Sequence, residues 1–166
     1  PRLGDLLLDT GVTNITVDLC EFQGVGDDGA ASPENNLIWI YPGATNTRYW
    51  VIRRSYFHDA GECFLYFREA DDGIVEYCYF ARNESTAAQH SEGISSFVEN
   101  FATSPATDRW IIRHNVWEDV EGTGVVVFSG DGWEFYGNLI FNTGISAGTS
   151  NGSFCTQSTS IATNTK

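Results

Sequence analysis

Apolar residues occupy every second position in five short segments of the chain, in two sets of opposite parity. The first set is Val17, Ile52, Val75, Ile112 and Phe135, and the second, five positions later in each segment, is Phe22, Phe57, Phe80, Trp117 and Ile140. Alternation with a period of two predicts β-strands and not helices. Because the parity changes, each segment must bend between its two sets, near Cys20, Ser55, Cys78, Asn115 and Asn138.

The bend positions form a repeat. Ser55 and Cys78 are 23 residues apart, as are Asn115 and Asn138, and the other intervals of 35 and 37 residues equal one period plus an insertion. A further apolar run follows each segment, at 37–40, 64–67, 94–97 and 125–128, and 6–8 fits one turn earlier. Such a repeat predicts a solenoid, in which each rung buries its apolar face against the next. A rung of this length suits three short strands.

One column of outward residues carries charges of alternating sign. It comprises Asp18, Arg53, Glu76, Arg113 and Tyr136. Stacked in parallel at roughly 4.8 Å per rung, these residues would form a ladder of opposite charges. Two interpretations stay open, because the arginines either neutralise the acidic residues on the outer face or bind a ligand.

The segment Trp110–Trp117, followed by Gly122–Val127, resembles the repeat of right-handed parallel β-helices of the pectin-lyase-like superfamily. That repeat has an apolar strand, an Asn at a bend, an aromatic residue two positions later and a glycine-containing turn. The resemblance covers roughly residues 6–147. It implies an all-β, right-handed parallel β-helix solenoid with rungs of about 23 residues, roughly five to six of them. We therefore expect a β-helix over 1–147 and a tail rich in Ser, Thr, Gly and Asn over 148–166, as a last rung, a cap or a linker.

The resemblance leaves the activity open. The superfamily contains polysaccharide lyases, glycoside hydrolases, epimerases, phage tailspikes, adhesins and non-catalytic modules. A shared fold does not decide among such functions, so the argument must come from particular residues.

The composition of the chain restricts the classes of partner that we expect it to bind. The formal net charge is −13, methionine is absent and lysine occurs only at Lys166. Nucleic acids and anionic membranes are bound through clusters of Lys and Arg, so no nucleic acid is expected as a partner. No apolar stretch is long enough for membrane insertion and no signal peptide is present. The acidity suits an extracellular or cell-surface protein in a Ca²⁺-containing exterior, or serves solubility alone.

The ends and the cysteines add two expectations. The chain begins at Pro1, close to a strand, which favours a mature or excised piece of a longer protein.

Cys20 and Cys78 would lie two rungs apart, roughly 9.6 Å, which is too far for a disulfide. We expect them to be small buried residues of the bend column, and no Cys/His spacing typical of a zinc site occurs.

The insertions predict where function would lie. They fall in two rungs, chiefly at 23–36 and 81–93, with smaller ones at 41–49 and 98–108. Long loops from non-adjacent rungs at one corner would flank a groove over the rung that holds His58, Asp59 and Glu62. Loops on a rigid scaffold are where function concentrates, although neutral variation at solenoid turns would leave the same pattern.

The most specific local motif is Gly-Asp27-Asp28-Gly, which resembles the Gly-Asp-Asp motif of polygalacturonase-type glycoside hydrolases. The resemblance implies a general acid beside a water-activating base, because neighbouring negative charge raises the pKa of one carboxyl. The other motifs of that family are missing, and His90 with Glu92, two rungs on, is the nearest substitute for its histidine motif. With Glu62 these residues are the candidate catalytic set. The same four residues are equally typical of a plain turn.

Acidic residues and a histidine recur at this turn in successive rungs. The set is Asp27, Asp28, Asp59, Glu62, His90, Glu92, Glu118, Asp119 and Glu121. Stacked turns would bring them onto one edge. No cofactor is required, but Asp27, Asp28, Asp59 and Glu62 are candidate Ca²⁺ ligands, because Ca²⁺ takes oxygen ligands. The edge could instead supply an acid/base pair with His58 or His90, or be a solvated acidic surface.

The candidate substrate-binding residues are Tyr56, His58, Tyr79 and Arg82. Tyr56 and Tyr79 occupy equivalent outward positions in adjacent rungs, as a platform for a sugar ring or as an aromatic ladder that stabilises the stack. A lyase acting on uronates needs a basic residue and a cation for the substrate carboxylate. Since Lys166 is terminal, Arg82 and His90 would have to serve.

Two functions follow from these residues. The first is a secreted carbohydrate-active β-helix that binds or cleaves an acidic or neutral polysaccharide in a groove formed by the inserted turns, as a hydrolase or lyase if it is an enzyme. The alternative is a non-catalytic structural or adhesive module of a larger surface protein, or a self-assembling extracellular fibre. Its like subunits would stack end to end through open strand edges.

Overall fold

The computed structural model describes residues 6–8, 11–24, 36–40, 47–83, 92–96, 107–122, 124–127, 130–143 and 154–156. Regular structure in these residues is all β. The strands are β1 (Leu6–Leu8), β2 (Thr13–Asp18), β3 (Glu21–Gln23), β4 (Ile38–Ile40), β5 (Thr47–Arg53), β6 (Tyr56–Ala60), β7 (Leu65–Phe67), β8 (Ala70–Glu76), β9 (Tyr79–Asn83), β10 (Ile94–Ser96), β11 (Trp110–Arg113), β12 (Val116–Val120), β13 (Val125–Val127), β14 (Glu134–Tyr136), β15 (Leu139–Thr143) and β16 (Phe154–Thr156). Within the same residues, no helix is long and apolar enough to span a membrane.

The strands form three parallel sheets, and successive turns of the chain add one strand to each. Sheet A has the order β1-β4-β7-β10-β13-β16, sheet B the order β2-β5-β8-β11-β14, and sheet C the order β3-β6-β9-β12-β15. Each strand therefore pairs with the strand one turn earlier and one turn later. The parallel solenoid and its three strands per rung agree with the repeat read from the sequence.

The alternating apolar residues point inward and stack in columns. In sheet C, Phe22, Phe57, Phe80 and Trp117 follow one another in register. Their ring centroids are 4.9, 5.0 and 3.9 Å apart, with nearly parallel planes. Ile52, Val75 and Ile112 form the matching column of sheet B and are fully buried. The core is thus a file of like side chains along the solenoid axis.

The bends between sheets B and C are closed by a hydrogen-bond ladder. The backbone N–H of Cys20 donates to Ser55 Oγ at 3.1 Å, that of Cys78 to Asn115 Oδ1 at 2.9 Å, and that of Asn115 to Asn138 Oδ1 at 2.9 Å. The residue before each bend has positive φ, which turns the chain sharply. These residues are Leu19, Arg54, Tyr77, His114 and Gly137, with φ between 49 and 66°.

The cysteines agree with the expectation from spacing. Cys20, Cys63 and Cys78 are free thiols. Cys20 and Cys78 occupy the bend column, and Cys78 is 2% exposed. Burial raises the pKa of the Cys78 thiol to about 12. This thiol is therefore a small packing residue and not a reactive group.

The column of alternating charge is present and is paired. Arg53 Nη2 lies 3.0 Å from Asp18 Oδ2, and Arg113 Nη2 lies 2.7 Å from Glu76 Oε2. Arg113 also donates to the Tyr136 hydroxyl at 3.1 Å. Each of these arginines thus pairs with an acidic residue one rung earlier, on the outer face of sheet B. This geometry supports the neutralisation interpretation.

Asp18 is expected to titrate at a lower pH than an ordinary aspartate. The Arg54 guanidinium, which donates to Asp18 Oδ1 at 2.8 Å, and then Arg53 lower the pKa of this carboxyl from 3.8 to about 2. Because the folded-state pKa is the lower one, its contribution to stability is present above pH 3.8 and is lost as the pH falls towards 2. An NMR titration of the Asp18 carboxyl carbon measures this. Arg54→Ala should return the pKa towards 3.8, whereas the control Arg68→Ala should not. An unshifted pKa in the unmodified protein would contradict the ion pair.

The structure corrects the expected position of three acidic residues and adds a strand in the tail. The placement of Asp59, Glu118 and Asp119 in turns is wrong, because they lie in β6 and β12. Asp59 and Asp119 have φ of 56 and 53°, so each strand bends at that residue and continues to one more buried position instead of ending. In the tail, Phe154–Thr156 form β16, which pairs with β13 as a further strand of sheet A.

Candidate functional site

The candidate substrate-binding residues meet on the outer face of sheet C. His58 lies at the centre of this group, and its side chain is only 7% exposed. His58 Nδ1 is 2.7 Å from Asp59 Oδ2, and Nε2 is 3.1 Å from Glu21 Oε1 one rung earlier. Arg82, one rung later, donates from Nε to Asp59 Oδ1 at 2.6 Å and from Nη2 to the Tyr56 hydroxyl at 3.1 Å. We call Glu21, Tyr56, His58, Asp59 and Arg82 the sheet C cluster.

The charges of the sheet C cluster are satisfied internally. The Arg82 guanidinium holds the pKa of the Asp59 carboxyl below its usual range, and Asp59 in turn raises the pKa of Arg82. Asp59 is therefore a carboxylate at neutral pH and not a proton donor. Both ring nitrogens of His58 face carboxylate oxygens, so the imidazole links neighbouring rungs instead of facing an open position.

The two tyrosines form a ladder. The rings of Tyr56 and Tyr79 stack with centroids 5.2 Å apart and planes 12° apart, and His58 stacks on Tyr56 at 4.2 Å. The Tyr79 hydroxyl donates to the Glu118 carboxylate of the next rung, which raises the pKa of Tyr79. Because the stacked faces cover one another, this pair resembles a stabilising ladder more than a platform for a sugar.

The candidate catalytic residues Glu62 and Glu92 lie elsewhere, at the corner between sheets C and A. Glu62 Oε2 accepts a hydrogen bond from Asn36 Nδ2 at 2.9 Å, and Glu92 Oε2 accepts one from the Cys63 thiol at 3.6 Å. Asn83 donates to the backbone carbonyls of both glutamates. The amide therefore ties the two rungs together and brings Glu62 and Glu92 to one corner. Glu92 is 7% exposed.

The outer face of sheet A carries aromatic residues that the sequence-based site omitted. Trp39 and Tyr66 are the central residues of β4 and β7 and lie in register, one rung apart. Both are partly exposed, and their rings meet edge to face with centroids 6.0 Å apart. Burial, then Cys63, Glu62 and Glu92, raise the pKa of the Tyr66 hydroxyl, while Arg68 opposes the shift. Tyr66 is thus a neutral phenol beside the corner that holds both glutamates.

The burial of the neighbouring residues shows which way Trp39 and Tyr66 point. In the apolar runs 37–40 and 64–67, strand alternation places one residue of every pair outward. Ile38 and Ile40 are fully buried, as are Leu65 and Phe67, so the residue between them must face solvent. Because the two rings are in contact, they form one aromatic patch on this face, and such a patch marks a candidate binding surface.

Three of the candidate site residues lie outside the described part of the chain. Asp27, Asp28 and His90 belong to 25–35 and 84–91, so their catalytic role and the contribution of Asp27 and Asp28 to a Ca²⁺ site stay predictions. Among the residues that the structure does describe, no group of three or more His, Cys, Asp or Glu side chains converges as metal ligands would. Asp59 is engaged by Arg82, and Glu62 lies at the separate corner.

The comparisons with known proteins concern the fold and reach nearly the whole chain. The family model described as "right handed beta helix region" matches residues 7–165. No curated protein and no solved structure matches the chain significantly. The match spans all three sheets and includes β16, in agreement with the parallel strand order and the stacked core columns. The chain therefore belongs to the right-handed β-helix family.

Proposed function

We propose that this protein binds a polysaccharide along the outer face of sheet A. The observation that carries the proposal is the pair Trp39 and Tyr66, two outward aromatic residues in successive rungs. Aromatic rings at an exposed face offer a large apolar surface with a polar edge, which suits the apolar faces and hydroxyl groups of sugars. The core of the solenoid needs neither residue, because its inward columns are complete without them.

Chain length around this face supports a groove. Four residues link β6 to β7 and two link β7 to β8, so the rung of Tyr66 is narrow. The rungs on either side have 14 residues before β4 and 13 residues after β10. A short rung between two longer ones would form the bottom of a groove, and ligand-binding sites are usually concave.

The polar residues near Tyr66 fit hydroxyl groups. The Tyr66 phenol is protonated at neutral pH and can donate a hydrogen bond, and burial raises its pKa further. The carboxylates of Glu62 and Glu92 at the adjoining corner are acceptors for sugar hydroxyl groups. Arg68 lies close enough to Tyr66 to lower its pKa and adds positive charge near this face. The proposal therefore includes both neutral and acidic chains.

A more specific form of the proposal is that the protein also cleaves the polysaccharide it binds. Cleavage requires an acid and a base at the scissile bond, and Glu62 and Glu92 with Asp27, Asp28 and His90 are the residues to supply them. Tyr66 and Tyr79 do not serve as bases, because the pKa of each hydroxyl is raised. The same proposal includes an extracellular or cell-surface location and a dependence on Ca²⁺.

Trp39→Ala and Tyr66→Ala should each weaken polysaccharide binding by about tenfold, the loss of roughly 1.4 kcal/mol of contact. Calorimetric titration against a panel of neutral and acidic polysaccharides, with and without Ca²⁺, measures this. Tyr56→Ala, which removes a ring of the ladder on sheet C, is the matched control and should bind normally. Equal losses in all three variants, or no binding by the unmodified protein, would contradict the site on sheet A.

Cleavage is measured on the same panel, as new reducing ends for a hydrolase and as unsaturated products for a lyase. Asp27→Ala/Asp28→Ala should abolish either product while it leaves binding intact, because these residues would act on the bond and not hold the chain. Binding without any product would leave a non-catalytic carbohydrate-binding β-helix.

End-to-end stacking of like subunits is the second candidate function. Among the described residues, Ile15 in the first strand of sheet B is only partly buried, as are Phe135 and Ile140 in β14 and β15, the last described strands of sheets B and C. A mating rung would cover these surfaces and pair their strand edges. Light scattering on the samples used for titration tests this candidate, since a monomer mass would contradict it.

A further inference from the structure

A separate groove of about 310 Å³ lies on the outer face of sheet B. We call it the sheet B groove, and its lining comes chiefly from Asn14, Thr16, Tyr49, Val51, Asp72 and Ile74. These residues belong to β2, β5 and β8, three consecutive rungs. The floor is the column Thr16, Val51 and Ile74, which is in register across the three strands. The groove is on a different sheet from Trp39 and Tyr66.

Tyr49 forms a wall of this groove, and packing does not explain its presence. Its φ is 64°, in a column where every described rung has positive φ and where the equivalent residues are Asn14, Asp72, Arg109 and Gly132. Asn, Asp and Gly tolerate this backbone conformation, whereas a bulky aromatic residue is costly there. Tyr49 is nevertheless 55% exposed, and within the described residues its side chain makes no hydrogen bond or ring contact. A strained, exposed and uncommitted aromatic residue points to a ligand.

The polar groups of the groove are acceptors held in fixed positions. Asp72 is gripped by Arg109, with Nε to Oδ1 at 2.6 Å and Nη2 to Oδ2 at 3.1 Å. This contact lowers the pKa of Asp72, so its oxygens stay ionised and accept further hydrogen bonds. The Asn14 side-chain amide donates one hydrogen bond to Thr13 Oγ1 at 3.1 Å, which leaves its carbonyl oxygen as an acceptor.

The charges around the groove disfavour an anion. Arg109 is committed to Asp72 and also reaches Asp71 at 3.2 Å, and Arg48 pairs with Asp71 at 3.5 Å. Nearby cations are thus neutralised, and the groove itself contributes the negative charge of Asp72. Donors without charge, such as hydroxyl groups, fit these acceptors.

We propose that the sheet B groove binds one pyranose ring of a neutral sugar. The ring would place an apolar face against Tyr49 and its hydroxyl groups towards Asp72 and Asn14, over the apolar floor of Val51 and Ile74. An aromatic wall, an apolar floor and a few fixed polar groups are the usual composition of a small-ligand site. The volume suits a single ring and not a long chain. This inference stands on residues that the polysaccharide proposal for sheet A does not use.

Saturation-transfer NMR with cellotetraose, mannotetraose, xylotetraose and trigalacturonate tests the inference. The unmodified protein should saturate at least one of the three neutral sugars, and Tyr49→Ala should weaken that binding by about tenfold. Tyr77→Ala is the matched control, because Tyr77 is also exposed, at 59%, and also has positive φ, but lies outside the groove. Tyr77→Ala should bind as the unmodified protein does.

The variants separate this site from sheet A. A signal kept in Trp39→Ala and Tyr66→Ala but lost in Tyr49→Ala supports the sheet B groove whether or not sheet A binds a polysaccharide. A signal lost only in Trp39→Ala and Tyr66→Ala, stronger saturation of trigalacturonate, or no saturation of any neutral sugar overturns the inference. Circular dichroism of each variant confirms that the solenoid is intact.

Discussion

Asn115→Ala should lower the free energy of unfolding by about 2–6 kcal/mol, because it leaves two buried backbone groups without a hydrogen-bond partner at about 1–3 kcal/mol each. Asn115 is 1% exposed. Its Oδ1 accepts from the N–H of Cys78 at 2.9 Å, and its Nδ2 donates to the carbonyl of Val75 at 2.9 Å. Alanine satisfies neither group, and the bend lies between neighbouring rungs, away from bulk solvent. Urea denaturation followed by circular dichroism measures the change.

The bend column supplies matched controls for this substitution. Asn138, in the last described rung of sheets B and C, is only half-buried, so Asn138→Ala should cost clearly less. Asn115→Ser should also be milder than Asn115→Ala, because Ser55 in this column accepts from the equivalent N–H of the rung before it. Ser55 Oγ accepts from the N–H of Cys20 at 3.1 Å and donates to the carbonyl of Arg53 at 2.8 Å. Equal stability of Asn115→Ala and the unmodified protein would show that the ladder contributes nothing.

The strand columns were predictable because burial in a solenoid is set by local parity. The apolar alternation shifts by one position between Val17 and Phe22, and it shifts in the same way between Ile52 and Phe57. This recurring shift predicts the two strands, the bend between them and the register of successive rungs. The register is over-determined, because a slip of one residue would expose every inward side chain. The charge column confirms it independently through the pairing of Asp18 with Arg53.

The candidate site was harder to predict, because it depends on which way single residues point. Asp59 and Glu62 are three residues apart, and the sequence placed them on one edge. The positive φ of Asp59 keeps β6 running to Ala60, so Asp59 joins His58 on sheet C while Glu62 follows at the next corner. Positive φ recurs at this position in four rungs, and three of the residues there, Asp59, Asp119 and Asn142, are of types that tolerate this conformation. The recurrence is easy to overlook in the sequence, because Arg82 occupies the remaining rung with a φ of 56°.

The outward residues of sheet A were missed for a different reason. Their strands have three residues each, which leaves a single outward position and too little alternation to measure. Trp39 and Tyr66 then look like members of an apolar run. The distinction between a buried aromatic residue and a surface one came only with the neighbouring strands in place.

Gly73→Ala is the other substitution with a large expected effect. Glycine at this first apolar position was visible in the sequence, but its reason lies in the neighbouring rung. A Cβ on Gly73 would lie 2.3–2.4 Å from three carbons of the Trp110 ring, far inside van der Waals contact. The absent side chain therefore makes room for an indole that is one rung further on, in register with Gly73.

Trp110 cannot move aside cheaply. Its ring stacks on Phe67 with centroids 4.0 Å apart, and its indole N–H donates to the carbonyl of Ala70 at 2.8 Å. Overpacking a well-packed core costs typically about 1–3 kcal/mol, and loss of the indole hydrogen bond adds about 1 kcal/mol. We therefore expect Gly73→Ala to lower the free energy of unfolding by about 2–4 kcal/mol.

A double-mutant cycle with Trp110→Phe tests this cause. Phenylalanine removes the part of the ring system that meets the new methyl group, so Gly73→Ala should cost much less in the Trp110→Phe background than in the unmodified protein. The coupling energy should then be about 1–3 kcal/mol, the range expected of residues in direct contact. Additive effects would mean that alanine acts on the backbone of β8 and that the glycine is not there for the indole. A large coupling would show that each rung of this solenoid is fitted to the volume of the next.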